Sequence, residues 1–201
     1  MEKTIRKVGI MGGTFDPIHI GHLILGEAAY EQFGLDEVWF LPAGNPPHKR
    51  NRAGRAKDAQ RVEMVRRAIA SNPHFVLCTK EMEDEGYTYS YRTLEAMRKE
   101  HPGTEFYFII GADSLFTFDE WKEPARICRA CTLIVAVRDH ASSDELNQEI
   151  IHLEQKMIEI KNRQLYQIVS RKNIDTIFSV TSTNGIGAIT SFNENKSNLE
   201  S

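Results

Sequence analysis

The chain has 201 residues, of which 41% are hydrophobic and 26% charged, and its formal net charge is -3. This length is sufficient for one compact domain with a buried core, and the composition is ordinary for a soluble globular protein. The charge argues against a general nucleic-acid coat protein, and no run of about 18 apolar residues predicts a membrane span.

The cysteines and the first residues indicate a compartment. Cys78, Cys128 and Cys131 are a sparse, odd set, which is consistent with a reducing cytoplasm. The start of the chain lacks the length and the small-residue cleavage site of a signal peptide. We therefore expect a cytoplasmic protein that binds neither nucleic acid nor membrane. Cys128 and Cys131 are too few for a four-cysteine zinc site, and we expect them to be small residues at a helix end.

The most informative stretch begins with an apolar strand, predicted at Val8–Met11, and continues through two glycines into a helix. Gly12 and Gly13 permit a sharp turn and let a bulky anion approach the backbone N–H groups. The helix is predicted over residues 20–33, with Gly34 as its stop. This segment therefore predicts a strand–turn–helix unit that presents backbone donors to a phosphate.

Two histidines lie at the start of the predicted helix. His19 and His22 are three residues apart, so both side chains point to one side of a helix or of its entry turn. The free N–H groups and the positive end of the helix dipole lie beside them. Together with Thr14 and Asp16, the pair favours a phosphate site over merely solvated or capping histidines.

A second strand is predicted at Glu37–Leu41, and a loop rich in proline and glycine follows it. This loop carries five basic residues before any acid, namely Lys49, Arg50, Arg52, Arg55 and Lys57. Such a loop is either ordinary solvated surface or a basic flap over a polyphosphate, and the sequence leaves both interpretations open. A helix is predicted from Asp58 and a third strand at His74–Thr79.

The next helix and strand add aromatic and acidic candidates. Tyr87, Tyr89 and Tyr91 alternate at a helix start, where they either pack the helix entrance or line a slot for a flat ring. A buried fourth strand is predicted at Glu105–Gly111. Asp113 lies just beyond its carboxyl end, a position suited to a ribose contact, a metal-bridging carboxylate or a helix cap.

The last third of the chain changes character. A fifth strand is predicted at Thr132–Val137, a long helix from the capping box Ser142–Glu145, and a sixth strand at Leu165–Ser170. Residues 173–201 include 14 Ser, Thr or Asn residues and no arginine. We expect residues 1–172 to form one domain and residues 173–201 to be an irregular or disordered tail.

Strands alternate with helices along the chain, which predicts an α/β fold. The expected architecture is a Rossmann-like, doubly wound parallel sheet with the strand order 3-2-1-4-5 plus a sixth strand. In such sheets, ligands bind beyond the carboxyl ends of the strands where the strand order reverses. If strands one and four are neighbours, the loops that follow them face each other across one cleft.

Five separated motifs occur along the chain in a characteristic order. They are Gly12-Gly-Thr-Phe-Asp-Pro-Ile-His-Ile-Gly-His22, Asn45-Pro-Pro-His-Lys49, Tyr89-Ser-Tyr-Arg-Thr-Leu94, Ile110-Gly-Ala-Asp-Ser114 with Trp121, and Val137-Arg138. In these motifs the chain resembles the bacterial nicotinate-mononucleotide adenylyltransferases of the nucleotidylyltransferase superfamily, over roughly residues 5–172. The resemblance implies transfer of AMP from ATP to nicotinate mononucleotide, which gives deamido-NAD and pyrophosphate and uses Mg²⁺.

The resemblance also implies a role for each matching residue. The implied catalytic residues are His19, His22 and Thr14. The implied ATP-binding residues are Gly12, Gly13, Phe15, Gly21, Gly111, Asp113 and Arg138, and the implied substrate-binding residues are Asn45, Lys49, Ser90 and Trp121. Mg²⁺ is expected to arrive with the triphosphate, because the sequence offers no acidic cluster that would hold it in a protein cage.

The chain departs from the family after residue 173, where members usually carry an Ile-Ser-Ser-Thr-x-x-Arg-like motif. One alternative is therefore a nucleotide-binding remnant with little activity. Another is a different His-x-Gly-His enzyme, such as pantetheine-phosphate adenylyltransferase or a cytidylyltransferase, although the tyrosine-rich segment fits these less well. Class I aminoacyl-tRNA synthetases also contain His-Ile-Gly-His, but this chain is too short for a tRNA-binding domain and has no KMSKS-like loop. The sequence leaves open both the preference between nicotinate and nicotinamide mononucleotide and the oligomeric state.

Overall fold

The computed structural model describes residues 5–45, 54–83, 86–137 and 148, and the backbone of the segments 165–170, 176–183 and 186–193. The strands are β1 (Arg6–Gly13), β2 (Glu37–Pro42), β3 (Phe75–Leu77), β4 (Thr104–Gly111), β5 (Thr132–Val137), β6 (Leu165–Ser170), β7 (Thr176–Thr183) and β8 (Ile186–Asn193). The helices are α1 (Ile20–Phe33), α2 (Asp58–Ile69), α3 (Ser90–Glu100), α4 (Ala112–Leu115) and α5 (Pro124–Ala130), with short 3-10 helices at Lys80–Met82 and Phe118–Glu120.

Five parallel strands form one sheet in the order β3-β2-β1-β4-β5, which confirms the predicted order. Strand β1 pairs with β2 on one side and with β4 on the other, where Met11 lies opposite Ile109. The sheet grows in one direction from β1 to β3 and in the other from β4 to β5. The strand order therefore reverses between the carboxyl ends of β1 and β4, which end at Gly13 and Gly111.

Side chains of the central strands alternate between two hydrophobic cores. Along β4, Phe106, Phe108 and Ile110 face one core, whereas Tyr107 and Ile109 face the other. Helices α3 and α5 cover the first core, and α1 and α2 cover the second. Burial on both faces explains why these strands are continuous apolar runs in the sequence. The doubly wound architecture is thus confirmed.

Helix α1 has its predicted bounds. It ends because Gly34 adopts the left-handed backbone conformation (φ 55°), and the Gly34 N–H donates to the carbonyl of Tyr30. The long helix predicted from Ser142 lies outside the described residues, apart from Gln148, which is helical. Within the described part of the chain, no helix has the length and apolar character needed to cross a bilayer.

The sheet continues beyond β5. The backbone of Leu165–Ser170 runs parallel beside β5, and β7 and β8 extend the sheet as antiparallel strands. We expected an irregular or disordered tail there, because serine, threonine and asparagine dominate its composition. Its runs of Thr, Ile, Val and Phe favour strands, however, and Asn184-Gly185 between two such runs is a hairpin signal. The domain boundary at residue 172 stays a prediction.

Candidate active site

The turn between β1 and α1 is held by Phe15. Its ring is buried and lies edge-on to the ring of His22, with centroids 5.1 Å apart. Its backbone has φ 48°, an unfavourable conformation for a residue other than glycine, which this packing maintains. A Cβ on Gly13 would lie 2.9 Å from the Phe15 ring, so a side chain there would displace the ring. The Asp16 carboxylate accepts a hydrogen bond from the Ala56 N–H at 3.1 Å and so anchors the turn.

The two histidines lie together at the amino-terminal end of α1. Their ring centroids are 3.8 Å apart with the planes inclined by 36°, and the His19 backbone N–H donates to His22 Nδ1 at 3.2 Å. Because Nδ1 accepts this bond, the neutral His22 ring carries its proton on Nε2. His19 is exposed, His22 is half-buried, and Gly21 between them is buried. The arrangement provides imidazole and backbone donors to an anion at the helix start.

Asp113 occupies the neighbouring strand end. Gly111 is the last residue of β4, and Asp113 lies in the first turn of α4. A Cβ on Gly111 would lie 2.3 Å from Asp113 Oδ1, so the exposed carboxylate folds back over the glycine. Since β1 and β4 are paired, this carboxylate belongs to the loop beside the histidine turn. The structure thus brings together the two loops that the sequence singled out.

Trp121 is connected to the same region through Phe108. The indole ring lies 6.2 Å from the Phe108 ring in an edge arrangement and 5.5 Å from the ring of Phe118. A Cβ on Gly12 would lie 3.2 Å from the Phe108 ring, so Gly12 and Trp121 both lie beside this ring. The half-buried indole retains an accessible part on which a flat ring can stack.

The predicted substrate side is assembled from two further loops. The Asn45 carbonyl accepts a hydrogen bond from the Thr88 N–H at 3.1 Å, and α3 begins two residues later at Ser90. A backbone hydrogen bond therefore holds the segment that carries Asn45 next to the segment that leads to Ser90. Lys49 and Arg138 lie outside the described residues, so their assignments stay predictions.

Packing accounts for two of the three alternating tyrosines. Tyr91 is buried, and Tyr89 packs against the same core, with ring centroids 5.9 Å apart. The Arg126 guanidinium lies 4.3 Å from the centroid of the Tyr91 ring. Tyr87 is the exposed member of the set. The structure thus favours helix packing over a ring-binding slot for Tyr89 and Tyr91.

A fully buried arginine on α2, which sequence reasoning missed, lies behind the site. Arg61 donates from Nη1 to the Thr14 carbonyl at 2.6 Å and from Nη2 to the Ala43 carbonyl at 2.8 Å. The same Nη2 lies 2.6 Å from Asp58 Oδ1. One local signal was available, because Arg61 is four and eight residues before the buried Val65 and Ile69 and so shares their helix face.

A buried glutamate, Glu81, was missed as well. Its Oε2 accepts from the Gly44 N–H at 3.1 Å and its Oε1 from the Thr93 hydroxyl at 2.9 Å. A Cβ on Gly44 would lie 2.2 Å from the Glu81 carbonyl oxygen, so only glycine fits there. Arg55, one of the five basic residues of the loop after β2, donates to the carbonyls of Ala43 at 3.1 Å and Gly44 at 2.9 Å.

In the part of the chain that the structure describes, no group of three or more His, Cys, Asp or Glu side chains is arranged to hold a metal ion. Cys128 is buried near the end of α5, and Cys131 caps that end. Burial raises the pKa of the Cys131 thiol well above its usual range, which keeps this thiol protonated and unreactive.

Comparison with known proteins agrees with this architecture. A family model described as cytidylyltransferase-like matches residues 10–183. The chain belongs to the cytidylyltransferase-like family. A family relative from Lachnoclostridium phytofermentans, named "probable nicotinate-nucleotide adenylyltransferase", is 42% identical over 170 residues, which are 83% of this chain and 84% of the relative. A relative of the same name from Bacillus pumilus is 46% identical over 130 residues, or 65% of this chain and 68% of the relative.

Solved structures extend the comparison to the fold. The nicotinic acid mononucleotide adenylyltransferase of Plasmodium falciparum, complexed with APC, matches this family member with a TM-score of 0.62 at 18% identity. The match covers 84% of this chain and 76% of that one. The same enzyme complexed with NaAD gives a TM-score of 0.62 at 20% identity. At such identities the likeness establishes the fold.

Proposed function

We propose that the chain transfers the adenylyl group of ATP to nicotinate mononucleotide, giving deamido-NAD and pyrophosphate in NAD biosynthesis. The observation that carries this proposal is the pair of imidazoles, with ring centroids 3.8 Å apart, at the start of α1 beside the point where the strand order reverses. The relatives named for this activity, at 42% and 46% identity, support it. Its sparse cysteines favour the cytoplasm as the place of the reaction.

The reaction needs no nucleophile from the protein. A phosphate oxygen of nicotinate mononucleotide attacks the α-phosphorus of ATP, and the bond from that phosphorus to the oxygen bridging to the β-phosphate breaks. Pyrophosphate leaves with the electron pair of that bond. The protein contributes by aligning the two substrates and by neutralising the charge that develops on the phosphoryl oxygens.

The histidine turn supplies the charge-neutralising donors. His22 donates from Nε2 to a phosphate oxygen, because its Nδ1 is engaged by the His19 backbone. The exposed His19 ring donates beside it, and the first N–H groups of α1 add backbone donors. Thr14 and the backbone of Phe15 orient the reacting groups at the end of β1.

The remaining predicted residues divide between the two substrates. Asp113, above Gly111, and Arg138 hold the adenosine half, and the glycines of the turn let the triphosphate approach. The pyridine nucleotide is held by Asn45, Lys49, Ser90 and Trp121, with the indole stacked on the pyridine ring. Mg²⁺ travels with ATP as part of the substrate and supplies further neutralisation of the triphosphate charge.

The test is an assay of the purified chain with ATP and nicotinate mononucleotide, in which pyrophosphate release and deamido-NAD are both measured. We expect both products in equal amounts. Replacing His19 and His22 together with alanine should reduce turnover by about 10³-fold or more, because two donors to the transition state are lost. His101→Ala, beyond α3 and before β4, is the matched control and should leave turnover within about twofold.

Other results would replace the proposal. Turnover of pantetheine phosphate instead of nicotinate mononucleotide would identify a different His-x-Gly-His enzyme. ATP binding without pyrophosphate release would identify a nucleotide-binding remnant, the alternative suggested by the lack of arginine after residue 171.

A further inference from the structure

We propose that Arg61 is a positioning residue that sets the two substrate loops of the site relative to each other. The ATP-side loop is residues 12–22, and the pyridine-side loop is residues 43–45. The inference rests on the proposed function and extends it to a residue behind the site, on the buried face of α2. Arg61 acts on turnover through the backbone of these two loops and without contacting either substrate.

A single guanidinium joins the two loops. Arg61 Nη1 donates to the Thr14 carbonyl at 2.6 Å, and Nη2 donates to the Ala43 carbonyl at 2.8 Å. The Ala43 N–H in turn donates to the Gly13 carbonyl at 2.7 Å. The guanidinium is planar, so its two nitrogens have a fixed separation and direction. The distance between the two carbonyls is therefore set by a rigid group.

The pyridine-side loop is held from both ends of one peptide group. The Ala43 carbonyl accepts from Arg61 at 2.8 Å and from Arg55 at 3.1 Å, and the Gly44 N–H donates to the buried Glu81 carboxylate at 3.1 Å. The peptide thus lies between cationic donors and an anionic acceptor, an arrangement in which each hydrogen bond strengthens the other. The following residue is Asn45.

The ATP-side loop is held in a corresponding way. The carbonyl that Arg61 contacts belongs to the Thr14–Phe15 peptide, whose N–H is that of Phe15. A charged donor on the carbonyl polarises the peptide and makes its N–H a stronger donor to an anion. The buried Phe15 ring and its φ of 48° keep this peptide in one orientation. Arg61 therefore influences a backbone donor that the proposed mechanism uses.

Fold stability alone does not account for a charge at this position. Arg61 is fully buried, whereas the carboxylate of its ion-pair partner Asp58 is 64% exposed. Its Nε has no hydrogen-bond partner among the described residues. Because its partner is largely exposed, this ion pair contributes little net stability, and burial of the guanidinium is costly compared with apolar packing at the same place. The two carbonyl contacts are the specific consequence of having arginine there.

Arg61→Lys is the variant that tests this role. Lysine keeps the charge and most of the side-chain length, but its single nitrogen does not reproduce the planar fork. We expect kcat for AMP transfer to fall about 10- to 100-fold, because misalignment of two reactants by about 1 Å has effects of that size. The KM of each substrate should change less than about threefold, since each loop still binds its own substrate.

The matched control is Arg67→Lys. Arg67 is on the same helix, its side chain is 80% exposed, and it pairs with Glu63 at 2.8 Å. We expect unchanged kcat, KM and melting temperature. Arg55→Lys serves as the second variant, because it removes contacts to Ala43 and Gly44 and leaves Arg61 in place. It should raise the KM for nicotinate mononucleotide and leave the KM for ATP unchanged.

Hydrogen–deuterium exchange provides a readout that does not depend on activity. In Arg61→Lys we expect faster exchange in both substrate loops and unchanged exchange in β4 and α3. In Arg55→Lys the pyridine-side loop alone should exchange faster. If Arg61→Lys fails to fold, hydrogen–deuterium exchange in Arg55→Lys decides. Faster exchange in the pyridine-side loop alone supports the inference, and equally accelerated exchange in both substrate loops overturns it.

The two proposals fail in different ways. An unchanged kcat in folded Arg61→Lys, or faster exchange in only one loop, overturns the positioning role while wild-type turnover upholds the proposed function. If the wild type releases no pyrophosphate, the proposed function fails. The exchange pattern of the two loops then decides the inference by itself.

Discussion

The carboxylate of Asp113 occupies the space that a side chain at Gly111 would fill. An added Cβ would lie 2.3 Å from Asp113 Oδ1. Since the obstructing atom is the end of a flexible side chain, Gly111→Ala should displace the carboxylate and leave β4 in place. We expect little change in melting temperature and an approximately tenfold higher KM for ATP, the size of one lost hydrogen bond to a charged group. Steady-state kinetics and thermal unfolding measure the two effects.

A double-mutant cycle provides the control for this prediction. In an Asp113→Ala background there is no carboxylate to displace, so adding Gly111→Ala should have no further effect on the KM for ATP. Additive effects of the two substitutions would show that Gly111→Ala acts through the backbone of the loop and would contradict the explanation.

Gly13 presents the opposite case, because its neighbour is a buried ring. A Cβ there would lie 2.9 Å from Phe15, whose ring packs against His22 at 5.1 Å. We expect Gly13→Ala to lower the free energy of unfolding by about 1–3 kcal/mol, as overpacking does, and to reduce kcat at least about tenfold by shifting His22. Urea denaturation and kinetics measure these changes. Adding Phe15→Leu to Gly13→Ala should recover part of the stability, and no recovery would locate the strain elsewhere.

Local sequence patterns predicted best those strands that are buried on both faces. Strands buried on both faces appear as apolar runs, so β5 has its predicted bounds and β4 differs by one residue. Strand β3 is shorter than the predicted His74–Thr79, because within the described residues this edge strand pairs with β2 alone, through Phe75–Leu77. Strands β7 and β8 were not predicted, because serine, threonine and asparagine dominate the composition of residues 173–201.

The sequence also predicted which strand ends would form the candidate site but missed the network behind them. The carboxyl ends of parallel strands meet at one edge of the sheet, so Gly13 and Gly111 were expected together. Arg61 reaches Thr14 across 47 positions of the chain, and Gly44 reaches Glu81 across 37. Whether a charged residue is buried at such contacts depends on the assembled fold, which local spacing does not encode.

Helix α1 is joined to the turn before β3 by a cluster around Glu27. His74 Nε2 lies 3.0 Å from Glu27 Oε2, Asn72 Nδ2 lies 2.7 Å from the same oxygen, and the Tyr30 ring stacks on His74 with centroids 3.6 Å apart. Burial acts to raise the pKa of Glu27, but hydrogen bonds from His74 and Asn72 outweigh it and lower the pKa from its ordinary value of 4.5.

This shift makes the stability contribution of Glu27 dependent on pH. Its pKa is lower in the folded than in the unfolded chain, so the contribution is complete above about pH 4.5 and is lost as the pH falls through the lower, folded value. Glu27→Gln should lower the free energy of unfolding at pH 7 by less than about 1 kcal/mol, because the pair is partly exposed. Urea denaturation at a series of pH values should show the difference shrinking in acid. Glu31→Gln, on the same helix, is the control, and a Glu27→Gln difference independent of pH would contradict the prediction.

Across the whole molecule, the centre of the sheet and its β6–β8 edge differ in strand direction and in their place relative to the candidate site. The candidate site lies at the centre, where Arg61 ties the loop after β1 to the loop after β2. The loop after β4 lies beside the β1 loop, because β1 and β4 are paired. At one edge, β6 runs parallel beside β5, and β7 and β8 are antiparallel. The resemblance to the nicotinate-mononucleotide adenylyltransferases implies an arginine-containing motif in this last part of the chain, whereas this chain has no arginine after Arg171.

Restoring that arginine should strengthen nucleotide binding. We expect a chimera of residues 1–172 with a C-terminal end that carries the arginine motif implied by the resemblance to have a roughly tenfold lower KM for ATP, since a guanidinium binds phosphate oxygens through two parallel hydrogen bonds. The kcat should change little, because the chimera and the present chain have the same histidine turn. A chimera with the motif arginine replaced by glutamine is the matched control and should bind ATP as the present chain does. Equal KM values for both chimeras and the present chain would mean that residues 173–201 provide equivalent anion contacts without arginine.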